Sequence, residues 1–64
     1  MSLFFLVDLQ LIAEIWFSKG KAHLKLKQHD EALNSFEEAL KLDPENQDVL
    51  NAKKELLELM NYVF

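Results

Sequence analysis

Residues 16–24 read Trp16-Phe17-Ser18-Lys19-Gly20-Lys21-Ala22-His23-Leu24. After a polar break at Lys27-Gln28-His29, the chain resumes with Ala32-Leu33-Asn34-Ser35-Phe36-Glu37-Glu38-Ala39-Leu40. In the second run Ala32, Leu33, Phe36, Ala39 and Leu40 recur at i, i+1, i+4, i+7 and i+8, the apolar stripe of an amphipathic helix. The first run is also helical in pattern, with Gly20 as its one weak point. A Gly inside a helix costs about 1 kcal/mol against Ala, so its small size has a use. Asp30 is placed to cap the second helix, and Pro44 ends it near Leu42 by pushing Asp43 out of the α region. Asn46 is a good cap for a third helix, with Asp48 in its first turn and a stripe of Val49, Ala52, Leu56, Leu59 and Met60. Short connections make successive helices antiparallel neighbours. The expected fold is all-α: a helix–turn–helix followed by a third helix.

Towards the N-terminus the pattern turns apolar. From Leu3 to Phe17, twelve of fifteen residues are apolar, interrupted by Asp8, Gln10 and Glu14. With Ser2 as its cap, one long first helix runs to about Leu26. A bilayer span needs about 20 largely apolar residues, and this run is shorter, with two acids inside it. A secretory signal needs a basic n-region and a small-residue cleavage site, neither of which is present. The absence of Cys leaves the redox compartment open, and the cytoplasm is the expected location. A membrane-surface helix is the lesser alternative, weakened by the lack of Lys before residue 19. Gln10, Glu14, Ser18, Lys21 and Lys25 fall along one stripe of this helix, and nearly everything else around it is apolar. Such a helix is a buried one, yet the chain is too small to surround it.

Composition narrows the function classes. A chain of 64 residues is one domain at most, here taken as 1–64, and marginally stable alone. Small folds usually need disulfides, metals or self-association. There is no Cys, and two His give a poor basis for a metal site. The seven cationic residues are all Lys. Residues 1–29 hold four Lys and two acids, for +2, while residues 30–64 hold three Lys and nine acids, for −6. Nucleic acid asks for a concentrated basic face, which this weak dipole does not provide. One Gly and one Pro leave little turn chemistry for a β fold.

The spacing Trp16-x2-Lys19-Gly20-x2-His23, then Ala32-x3-Phe36, Ala39 and Pro44, resembles the tetratricopeptide repeat, whose period is about 34 residues. Ala13–Asn46 spans 34 residues, and Leu40-Lys41-Leu42-Asp43-Pro44-Glu45-Asn46 is similar to the family's usual repeat ending. Lys19 stands where the family has Leu, and His23 where it has a large aromatic. The resemblance covers residues 13–46, with 47–64 as a closing helix and apolar tail, and leaves 1–12 as an apolar N-terminal helical extension. It implies that Trp16, Gly20, Ala32, Phe36, Ala39 and Pro44 carry the packing. One such repeat cannot bury its own faces, and about three are needed for stability.

The resemblance further implies an adaptor that binds a protein or peptide partner on the face lined by its first helix. Carried across by position, that face shows Glu14, Phe17, Ser18, Lys21, Leu24 and Lys25, an apolar and basic strip suited to an acidic peptide with hydrophobic anchors. Trp16–Leu24 looks like the last repeat of immunophilin-type co-chaperones. Those that grip a chaperone's terminal carboxylate use a Lys and an Arg from this helix. Here Glu14 and Ser18 occupy the equivalent places, so that mode of binding is not expected. Phe4, Phe5, Leu6, Leu9 and Ile12 are the candidates for a self-association surface, a dimer first, with Tyr62, Val63 and Phe64 joining it.

Catalytic chemistry finds no foothold. His23 and His29 are six apart across a helix end, unlike the i, i+4 spacing that puts two ligands on one face. Glu37 and Glu38 are adjacent and point to different sides of a helix, so they make no acid–base pair. No catalytic, cofactor-binding or metal-binding residue is expected. Two classes remain: a peptide-binding adaptor, or an assembly element whose whole work is self-association.

Overall fold

The computed structural model describes the backbone of residues 2–62 and the side chains of residues 9–61. Within these bounds the chain is all-α. Helix α1 spans Ser2–Lys25, α2 spans His29–Leu42 and α3 spans Gln47–Tyr62. The middle helix packs against both others, whereas α1 and α3 barely meet. At 1.5 Å per residue α1 is about 36 Å long and α2 about 21 Å. The first turns of α1 therefore extend past the end of its antiparallel neighbour.

The core is narrow and dominated by α2. Ala32, Phe36 and Ala39 are fully buried, joined by Val49 and Leu56 from α3. Trp16, Phe17 and Leu24 of α1 pack against this cluster. Ala13 and Gly20 of α1 are buried as well. A Cβ added at Gly20 would lie 2.5 Å from Cε1 and 2.7 Å from Cδ1 of the Phe36 ring. The ring thus occupies the space that a side chain at residue 20 would need. The stripe expected on α2 holds, and Ser35 adds a buried polar residue to it. On α3, Val49 and Leu56 are buried and Ala52 and Met60 pack on the core, but Leu59 is half exposed. Leu59 was expected on the buried stripe. With α1 barely in contact, α3 has one neighbour to cover it, and a one-sided contact is too narrow to include that position.

The connections differ in one respect from expectation. Helix α1 ends at Lys25, and its last turn closes by paired backbone bonds: Gln28 N–H donates to His23 C=O and Lys27 N–H to Leu24 C=O, both at 2.9 Å. This is the Schellman arrangement, which places its C′ residue in the left-handed region. That residue is Lys27, at φ 62°. His23 Nδ1–H donates to Gln28 Oε1 at 2.6 Å across the same turn. With the turn this tight, α2 starts at once from His29. Gln28 sits in the capping position without a side-chain cap, and its C=O accepts from Ala32 N–H. Asp30, expected as the cap, lies instead within the first turn of α2 beside Glu31, where a carboxylate still favours the helix dipole. At the second connection Asn46 Oδ1 accepts from Val49 N–H at 3.2 Å, the expected cap. Pro44 is exposed in the turn before it.

Candidate functional site

Helix α1 carries the candidate site, and its burial divides its circumference. Ala13, Gly20, Phe17 and Leu24 turn to α2, with Trp16 and His23 at the margin of the contact. The opposite side, about half a turn away, presents Leu11, Ile15, Ser18 and Ala22, all exposed. Leu11 is 54% and Ile15 65% exposed, well beyond what a core residue shows. A shallow open hollow on this side is lined by Leu11, Glu14, Ile15 and Ser18. Leu26, just past the end of α1, is also 67% exposed.

Charges border this apolar row. Glu14, Lys21 and Lys25 are exposed along one flank and Lys19 along the other. The Lys21 ammonium rests 4.6 Å from the centre of the Phe17 ring, and the Lys19 ammonium 4.9 Å from that of Trp16. Each contact holds a cation beside α1 and covers the exposed part of an aromatic ring. Lys19, at the position where the family has Leu, thus lies against Trp16. His23, in place of an aromatic, spends its ring on the helix-end bond to Gln28.

The residues expected to bind a peptide are therefore split. Glu14, Ser18, Lys21 and Lys25 lie together on the exposed side, whereas Phe17 and Leu24 are half-buried against the core. The Phe17 and Phe36 rings meet at a centroid distance of 5.7 Å, tilted by 51°. Of the residues expected to self-associate, Leu9 is half-buried and Ile12 is 42% exposed. Phe4, Phe5, Leu6, Tyr62, Val63 and Phe64 lie outside the residues whose side chains are described. Leu11 and Ile15 were not among the expected site residues. Their signal was the spacing of four between them, which a count of apolar residues alone passes over.

Five of the six expected packing residues lie in or against the core, and the sixth, Pro44, is exposed in its turn. Gly20 lies under Phe36, Ala32 and Ala39 are fully buried, and Trp16 packs at the edge of the core. A family model for the tetratricopeptide repeat matches residues 13–46. The chain belongs to the tetratricopeptide repeat family. No curated protein and no solved structure matches the chain at a significant level.

Tetratricopeptide repeats are interaction modules, typically without catalytic activity of their own, and the chain is a protein–protein interaction module in that sense. The matched segment begins at Ala13 and ends at Asn46, so it takes in α2 whole and only the second half of α1. Among the described residues no group of three or more His, Cys, Asp or Glu could hold a metal ion, and no helix is long and apolar enough to cross a membrane. Glu37 and Glu38 enter separate ion pairs, with Lys53 at 3.7 Å and Lys41 at 3.1 Å. A second hollow, on α2, is lined by Asp30, Glu31, Leu33, Asn34 and Glu37, and its acids face solvent.

Proposed function

We propose that this repeat is a non-catalytic adaptor whose working surface is the exposed side of α1. The observation that carries the reading is the apolar row Leu11–Ile15, bordered by Lys21, Lys25 and Glu14, on the side of α1 facing away from α2. Contiguous exposed apolar surface with a polar rim is the mark of an interaction site. The ligand this strip fits is a peptide or protein segment with apolar anchors and acidic residues, the anchors on Leu11 and Ile15 and the acids near Lys21 and Lys25. Helix α3 serves in this reading as the closing helix of the repeat, and the module works in the cytoplasm.

The test begins with selection of peptides from a random display library on the immobilised chain. A recovered peptide is then mapped by amide shifts on the isotope-labelled protein. The reading expects shifts concentrated at Leu11, Ile15, Ser18 and Lys21, and loss of binding in Lys21→Glu with Lys25→Glu. Shifts centred on α2 or α3, or equal binding by the charge-reversed variant, contradict it.

Self-association through the apolar N-terminal helix is the second reading, with Leu9 and Ile12 as its described residues and Phe4, Phe5 and Leu6 as the others. The exposure of Ile12 together with Leu11 and Ile15 favours it, because a chain of this size gains stability from covering such residues.

A further inference from the structure

The geometry points to a second copy of this chain as the occupant of the exposed side of α1, held as an antiparallel α1–α1 pair. The inference rests on the reading of that side as an interaction surface and names one partner for it. Leu11, Ile15, Ser18 and Ala22 are all exposed and follow at spacings of four, three and four, the seam by which two helices pack knobs into holes. The seam is large at one end and small at the other. An antiparallel pair crossing between Trp16 and Phe17 sets Leu11 against Ala22 of the second copy, and Ile15 against its Ser18. Every layer then joins a large residue to a small one, and the two helices keep an even spacing. A parallel pair would instead stack Leu on Leu and Ile on Ile at one end, and leave Ser on Ser and Ala on Ala under-packed at the other.

Charge agrees with the same register. Glu14 of one copy comes beside Lys21 of the other, and the twofold axis repeats the pair, so two ion pairs flank the seam. The pairing also brings the first turns of one α1, which extend past its own α2, alongside the exposed Leu26 of the second copy. Nothing in the fold stands in the way, since α2 lies on the far side of α1 and α3 packs on α2. Helix overlap from residue 8 to residue 25 is about 27 Å, a small interface, so association is reversible and weak. Because Glu14, Ser18 and Lys21 take part, the dimer and a bound peptide exclude one another.

Sedimentation equilibrium of the full chain, with helicity followed by circular dichroism, tests the pairing. A concentration-dependent monomer–dimer equilibrium is expected; a chain that stays monomeric at every concentration overturns the proposal. Glu14→Lys should weaken association by roughly fivefold, and adding Lys21→Glu should restore it. Both residues are exposed, so these variants leave the fold in place. Rescue by Lys19→Glu instead of Lys21→Glu indicates a parallel pair and overturns the antiparallel one. Ile15→Glu that keeps its helicity and still dimerises equally well also overturns it. A monomeric chain whose selected peptide shifts Leu11 and Ile15 would refute the dimer alone, whereas a dimer mapped to α2 or α3 would refute the interaction surface as well.

Discussion

Gly20 lies directly under the ring of Phe36, so close that a methyl group at residue 20 would meet Phe36 Cε1 at 2.5 Å. The ring has no room to retreat, because Phe36 is fully buried and packs on Phe17 at a centroid distance of 5.7 Å. Gly20→Ala gains up to about 1 kcal/mol of helix propensity, while overpacking a filled site costs about 1–3 kcal/mol. The expected balance is a loss of roughly 1 kcal/mol or more, read as a lower urea midpoint at fixed protein concentration. A higher midpoint would show that the two helices separate without penalty.

Phe36 is the largest fully buried side chain and touches both helix contacts. Truncating a buried Phe to Ala costs about 3–5 kcal/mol, against a total stability of about 0.05–0.15 kcal/mol per residue for an ordinary domain. Phe36→Ala is therefore expected to abolish the cooperative thermal transition seen by circular dichroism. A variant that still melts cooperatively near the parent temperature would move the centre of the core elsewhere.

Lys27 holds a left-handed backbone, φ 62°, at the point where the Schellman turn ends α1. A non-glycine residue there pays roughly 1 kcal/mol in steric strain, part of which glycine returns as chain entropy. Lys27→Gly should raise stability by about 0.5–1 kcal/mol in chemical denaturation. Lys27→Val, branched at Cβ, should lower it, and the reverse order would argue against the turn geometry.

Most of the architecture was legible because the repeat writes its packing at fixed intervals. The buried Gly20, Ala32, Phe36 and Ala39, the Asn46 cap and the antiparallel helix pair all follow from residue types whose physical need is local. Pro44, expected to carry packing, is exposed and only shapes the turn. Asp30 misled because its type suits a cap, whereas the start of α2 is decided by the turn at Lys27 and Gln28. Leu59 misled because a stripe shows which residues share a face, not how wide a contact the neighbour provides. The candidate site was half legible for a related reason. An apolar helix reads alike on every side, and only the position of α2 separates Ala13, Gly20 and Phe17 from Leu11 and Ile15.

Asn46 Oδ1 caps α3 by accepting from Val49 N–H, and its amide nitrogen also donates to Asp43 Oδ2 at 3.4 Å. Asn46→Ala should cost about 1 kcal/mol, and Asn46→Ser less than half of that. Hydrogen exchange at the Val49 amide gives a local readout: it should quicken in the Ala variant before exchange in α2 does. Equal exchange in both variants would remove the capping role.

The most direct measurement of the central claim, that α1 works through its side facing away from α2, is the amide spectrum of the isotope-labelled full chain on serial dilution. The account predicts shifts that change with concentration and concentrate at Leu11, Ile15, Ser18 and Ala22, while those of Ala32, Phe36 and Ala39 stay fixed. Changes that centre on α2 or α3 would contradict it, and a spectrum independent of concentration would contradict the pairing of two copies.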